Sequence, residues 1–190
     1  MTRRLLRDTR GVSAVEFAII AMPMLIAFLG VIDLGMRQYM SSLLQDSMDQ
    51  AARQVTVGGV TPAAITTFVN DRMRMVLPGS NTVVTPQSYS NFSKVGKPEP
   101  ITTDTAPIGS YNTGDCFTDL NRNGRWDANG GAGGHGTGDD VVYYTAVARY
   151  PAIMPMRALL GWSDTTEVSA TMMMRNQPYA AQAQPVTVCT

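Results

Sequence analysis

Between residues 17 and 32 the chain runs for sixteen positions without a charge: Phe-Ala-Ile-Ile-Ala-Met-Pro-Met-Leu-Ile-Ala-Phe-Leu-Gly-Val-Ile. Joined to residues 12–15, the stretch matches the apolar thickness of a bilayer at ~1.5 Å per helical residue, with Glu16 as its one charge. After Ile32 the pattern changes but does not stop. Met36, Met40, Leu44 and Met48 recur at every fourth position, and Leu43, Ala51, Ala52 and Val55 broaden that face. Arg37, Gln45, Asp49 and Arg53 fall elsewhere around the helix. The spacing predicts one helix over 13–55, its first half in lipid and its second half packed on a folded domain. Gly58-Gly59 ends it. Pro23 can bend it, which a membrane helix tolerates.

Downstream the periods are shorter. Thr61-Pro62 predicts the start of a second helix, running to about residue 77, where Pro78-Gly79 stops it; Val69, Arg72, Met73 and Val76 give it a partly apolar face. Residues 80–114 are rich in Ser, Thr, Asn, Gly and Pro, with short strand candidates at 82–85 and 101–103 and little promise of core. Residues 140–150 form the strongest strand signal: Val142, Tyr144, Ala146 and Ala148 face one side, Val141, Tyr143, Thr145, Val147 and Arg149 the other. Residues 165–175 read as its antiparallel partner. The apolar connection at 151–162 reads as cover for one sheet face or as an exposed contact patch, and the tail from Asn176 is polar. The expected fold class is α+β: a long N-terminal helix, a small antiparallel-sheet domain and a second short helix.

Charge refines this picture. The chain balances 15 Lys+Arg against 15 Asp+Glu, and only 16% of its 190 residues are charged, below the roughly 25% of ordinary soluble domains. The balance is a cancellation. Arg3, Arg4, Arg7 and Arg10 against Asp8 give residues 1–11 a net +3, leaving −3 beyond. Four arginines before a single span predict a cytoplasmic N-terminus and an extracytoplasmic remainder. The expected organisation is a basic leader at 1–11, the helix at 12–55 and an extracytoplasmic α+β domain at 56–190. A cleaved secretory signal is the other use of a basic start and an apolar run, but no small-x-small site followed by a turn appears after Ile32, where the sequence continues as helix. Neutral overall charge gives nucleic acid no basic face.

Glu16 is the costly residue, because a carboxylate in an apolar span needs a partner or a purpose. Arg10-Gly11-Val12-Ser13-Ala14-Val15-Glu16 resembles the processing site of type IV pilin-like precursors. The wider string from Arg10 to Leu25, with Ile32-Asp33-Leu34-Gly35 and Ala51-Ala52-Arg53, looks like the start of TadE-like proteins, minor pseudopilins of the tight-adherence (Flp) pilus. That resemblance implies cleavage between Gly11 and Val12 by a prepilin peptidase. It implies that Glu16, fifth in the mature chain, guides assembly with other pilin or pseudopilin subunits and pilus assembly proteins. It implies, too, a single-pass protein of a bacterial inner membrane that can enter an extracellular pilus. Val12 departs from the aromatic or large apolar residue that usually begins mature major pilins.

The exterior domain offers two further candidates. Asp119, Asn121, Asn123, Gly124 and Asp127 form Asp-x-Asn-x-Asn-Gly-x-x-Asp, oxygen ligands at the spacing of an EF-hand-like calcium loop, with the Arg125 carbonyl at position 7. Gly130 stands where a bidentate Glu belongs, and Asp139-Asp140 are the candidates to fill that gap. The same residue types also build ion-free Asx turns. Cys116 and Cys189 both fall outside by the charge rule, where a disulfide persists; two free thiols or a bond between subunits are the other options. Of the 13 Met, Met172-Met173-Met174 alternate faces on a strand and cannot share one copper ion; packing explains the set better. His135, in a Gly-rich run, reads as a solvated loop residue. One His, no Gly-x-Ser-x-Gly, no phosphate loop and no His/Cys cluster leave an enzyme reading without residues to name. Two functions remain: a structural pseudopilin, or a signal-anchored exterior binding module, calcium-dependent or not, that never assembles. A TadG-like adhesin would need an Asp-x-Ser-x-Ser metal motif that is not present.

Overall fold

The computed structural model describes residues 12–57, 62–152, 161, 163–176 and 181–189. The leader, the Gly58-Gly59 stop, the Thr61 cap and most of the apolar 151–162 connection lie outside the described residues.

Helix α1 spans Val12–Val57 without interruption, so lipid-like and amphipathic halves share one rod. Its two halves differ in surroundings. Residues 12–34 expose large apolar side chains to no protein partner: Phe17, Met22, Phe28 and Val31 are 69–70% exposed. From Met40 onward the four-residue repeat is buried, with Met40, Leu44 and Met48 at 0% exposure. Met36, Leu43 and Ala52 pack against that core from its margin. Pro23 lies inside the helix, where its ring removes one backbone hydrogen bond.

Helix α2 (Pro62–Val76) buries Ile65, Val69 and Met73, one position in four. Arg72 instead turns to α1, donating to Gln50 Oε1 at 2.5 Å. Beyond it come β1 (Asn81–Tyr89), a 3-10 turn (Phe92–Lys94), β2 (Ile101–Thr103), β3 (Cys116–Asp119), β4 (Ala132–Gly133), β5 (Val141–Pro151), β6 (Thr165–Arg175) and β7 (Val186–Cys189). The larger sheet has the order β4-β1-β5-β6, the smaller β2-β3-β7, and every pairing is antiparallel. The protein is thus α+β, with both helices laid on one face of the larger sheet.

β5 and β6 pair over eleven positions, from Val141↔Arg175 to Pro151↔Thr165. Their alternation sorts the side chains by face. Val142, Tyr144, Ala146, Ala148 and Tyr150 of β5 meet Val168, Ala170, Met172 and Met174 of β6 in the core under the helices. Met173, between two buried methionines, is 52% exposed. Small Ala146 and Ala148 let the helices approach, and flexible methionines fill what remains.

Three expectations change. The 80–114 stretch was expected to carry little core, yet β1 is nine residues long and sits inside the sheet, paired with β5 over its whole length. Its polar side chains conceal this, because the buried Thr82 and Ser88 read as loop residues. Asn70 of α2 supports the strand, its amide exchanging bonds with the Thr82 N–H and carbonyl at 2.6 and 2.9 Å. The polar tail returns as β7, held on β3 by the Cys116–Cys189 bond between directly opposed residues. Closing so long a loop stabilises by ~2–4 kcal/mol. Finally, His135 is not a solvated loop residue: its Nδ1 lies 2.6 Å from the Tyr144 hydroxyl.

Candidate functional site

The chain presents its candidate chemistry in two places. The first is the start of α1. Val12 is its first described residue, and Gly11, with the bond to be cut, lies outside the described residues. Glu16 is exposed, one helical turn from Val12, among exposed Val15, Phe17, Ile19 and Ile20. Ala14, Val15, Ala18, Ile19, Met22 and Pro23 line a shallow apolar hollow on the same stretch. In water such a surface would be a large hydrophobic patch, the mark of a lipid or protein contact. Helix α1 is a candidate membrane anchor by length and composition, close to the N-terminus, with none of the span's most apolar window buried by the rest of the chain.

The second place is the loop after β3. Asp119, at the strand's end and 2% exposed, accepts the Asn123 N–H at 3.2 Å on one oxygen and the Gly124 N–H at 2.8 Å on the other. Asn121 Oδ1 takes the Asn123 N–H, and Asn123 Oδ1 the Arg125 N–H. Gly124 has φ 76°, the left-handed turn that glycine adopts without strain. Asp127 closes the loop by accepting the side-chain N–H groups of Asn121 and Asn123 at 2.8 and 2.5 Å. Asp119, Asn121, Asn123 and Asp127 therefore come together as the spacing predicts.

Asp139 and Asp140 do not join them. Asp139 pairs with Arg175 at 3.0 Å, and Asp140 accepts from Thr137 and Gln182. The carboxylate that does reach the loop is Glu99, 1% exposed. It accepts the Leu120 N–H at 2.7 Å, the Asn121 N–H at 3.4 Å and the Asp127 N–H at 3.1 Å, while its carbonyl takes the Trp126 indole N–H. Burial pushes the Glu99 carboxyl above its ordinary value; the three N–H groups pull against that, and the Asp119 charge pushes it further up. As arranged, the loop turns amide N–H groups rather than oxygens toward Asp127. Calcium would require both amides to rotate and give up their Asx bonds. Among the described residues no three His, Cys, Asp or Glu side chains are grouped as a metal would need.

Sequence reasoning missed Glu99, and its signal was faint: one acid between two prolines in Lys-Pro-Glu-Pro. Asp115 was missed in the same way. Fully buried, it accepts the Thr105 N–H and hydroxyl and the Asn112 N–H at 2.7–2.8 Å. The Thr105 N–H above all holds its carboxyl below the ordinary value. Beside these acids Tyr111 stacks on Trp126, centroids 5.0 Å apart, and meets Phe117 edge-on. This second sheet is thus organised by buried acids and three aromatic rings.

Comparison with known proteins bears on the first place. The model of the TadE-like protein family matches residues 11–53. No curated protein and no solved structure matches the chain. The matched segment is α1 almost end to end, both the exposed apolar half and the half that packs on the sheet. Over residues 11–53 this chain is thus similar to TadE-like proteins, a structural family associated with Tad/Flp pilus systems.

Proposed function

We propose that the protein is a minor pseudopilin-like structural subunit of a tight-adherence (Flp) pilus or of its secretion machinery, anchored and assembled through α1. One observation carries the reading: a TadE-like helix whose first half is exposed and apolar except for Glu16. In lipid an unpaired carboxylate costs a few kcal/mol, less near the interface. Cleavage between Gly11 and Val12 by a prepilin peptidase would create an α-ammonium at Val12. Glu16 of one subunit then pairs with that ammonium on its neighbour, and each charge offsets the other's desolvation. A subunit out of register leaves both charges unpaired, so the pair sets the axial position. The charge asymmetry of residues 1–11 supports a cytoplasmic N-terminus and an extracytoplasmic sheet domain, in a bacterial inner membrane.

The alternative is a signal-anchored exterior binding module that never assembles. The confinement of the family match to residues 11–53 favours it, since the sheet domain follows no matched pattern. Mass spectrometry of the membrane-extracted protein separates the two. A chain beginning at Val12 is expected, and a chain retaining residues 1–11 would turn the reading to the anchored module.

A further inference from the structure

The chain contains two Asn-Gly steps, Asn123-Gly124 and Asn129-Gly130. Such a step is chemically reactive in water. The glycine backbone nitrogen gives its proton to solvent and attacks the asparagine Cγ, with no Cβ to obstruct ring closure. The Cγ–Nδ2 bond breaks and ammonia leaves, its added proton coming from solvent. Water then opens the succinimide to aspartate or isoaspartate. Asn123, Gly124 and Asn129 are all exposed, so water reaches both steps.

At the first step the loop after β3 holds both reacting groups. The Gly124 N–H donates to Asp119 Oδ2 at 2.8 Å, and Asp119 is 2% exposed. An ionised acceptor opposes loss of that proton, because the resulting anion would lie against a like charge. The Asn123 carboxamide is fixed at both ends. Its Oδ1 accepts the Arg125 N–H at 2.8 Å, and its Nδ2 donates to Asp127 Oδ2 at 2.5 Å. The Asn123 N–H occupies the other Asp119 oxygen at 3.2 Å. The second step is held by different partners. The Gly130 N–H donates to the Lys97 carbonyl at 3.0 Å, and Asn129 Oδ1 accepts the Tyr89 hydroxyl at 2.8 Å.

We propose that Asn123 is a latent deamidation site and that Asp119 guards it. While Asp119 holds the Gly124 N–H, the nucleophile is not formed; when the loop opens, Asn123 converts irreversibly. The new carboxylate then faces Asp127 where an amide donated before, so a donor is replaced by a like charge and the loop cannot close as it did. An opening that lasts long enough for the chemistry is thus fixed in the covalent chain. This device belongs to the sheet domain and is independent of how α1 anchors or assembles the protein.

The test incubates the full detergent-solubilised chain in mildly alkaline buffer, with and without guanidinium, and reads conversion at each asparagine by peptide-mapping mass spectrometry. In the folded wild type Asn123 should convert at least about tenfold more slowly than in the denatured chain, a barrier higher by ~1.4 kcal/mol. Asp119→Ala should bring Asn123 most of the way to the denatured rate and leave Asn129 at its wild-type rate. Asp119→Asn keeps the shape without the charge; it should give a smaller acceleration with the same selectivity, and it serves if the Ala variant does not fold. Asn123→Asp should melt below wild type. Equal rates at Asn123 in folded and denatured wild type overturn the proposal, as does a slow Asn123 in both Asp119 variants. Acceleration of both asparagines alike also overturns it, by assigning the protection to the fold as a whole. An unchanged melting temperature in Asn123→Asp overturns the claim that conversion keeps the loop from closing.

Discussion

Asp119 and Glu99 show how individual carboxylates shape the second sheet. Each is buried and each spends its oxygens on backbone N–H groups of the loop they enclose. An N–H buried without an acceptor costs about 1–3 kcal/mol, so Asp119→Ala should lower stability by ~2–4 kcal/mol in thermal melts of the detergent-solubilised chain. Calcium at millimolar concentration should leave the wild-type melting temperature unchanged, because the loop already supplies its own donors. A rise of several degrees that Asp119→Ala abolishes would show instead that the two Asn amides rotate to receive the ion. The Asx-Gly spacing was legible as a turn that gathers these side chains. The partner beneath it was not, because Glu99 is brought from twenty residues upstream by strand pairing that no local pattern encodes.

The elements differ in how plainly their period declares them. From Val142 onward β5 and β6 alternate more and less buried positions, α1 buries Met40, Leu44 and Met48 at every fourth, and all three elements were readable. β1 was readable only in part, for its inward positions include Thr82, Pro86 and Ser88. Among the described residues β7 pairs with β3 alone and gains its place through Cys189, so its signal is the cysteine rather than its own residues. His135 is a similar case: a Gly-rich run conceals that its ring docks on β5, and its carbonyl accepts from Asn176 at 2.6 Å. Burial holds its imidazole below the ordinary 6.5 and pushes the Tyr144 hydroxyl up to about 12. A lowered folded value favours neutral His, so the stability it lends is full above pH 6.5 and falls as pH drops through the folded value. Glu99 acts in the opposite direction, gaining as pH falls toward 4.5. Comparing wild type with His135→Gln therefore isolates the imidazole. The melting temperature of wild type should fall more steeply from about pH 7 to about pH 5 than that of the variant; parallel slopes would show that His135 does not titrate in this range.

For the whole molecule, the decisive feature is the division of α1. The half from Met40 onward is bound to the sheet by burial of Met40, Leu44 and Met48. Residues 12–32 instead leave their large apolar side chains exposed, the surface of a candidate membrane anchor. Truncating Leu44 to Ala in such a core typically costs ~2–5 kcal/mol, whereas altering Glu16 should leave the domain untouched and act on assembly alone. The central claim is that Glu16 joins subunits. It is tested most directly by recovering Glu16→Ala chain from sheared pili and from carbonate-washed membranes of cells that build them. The account predicts wild-type levels in the membrane and at least about tenfold less in the pilus fraction, the effect of losing ~1.4 kcal/mol or more of pairing. Equal recovery from both fractions would contradict it.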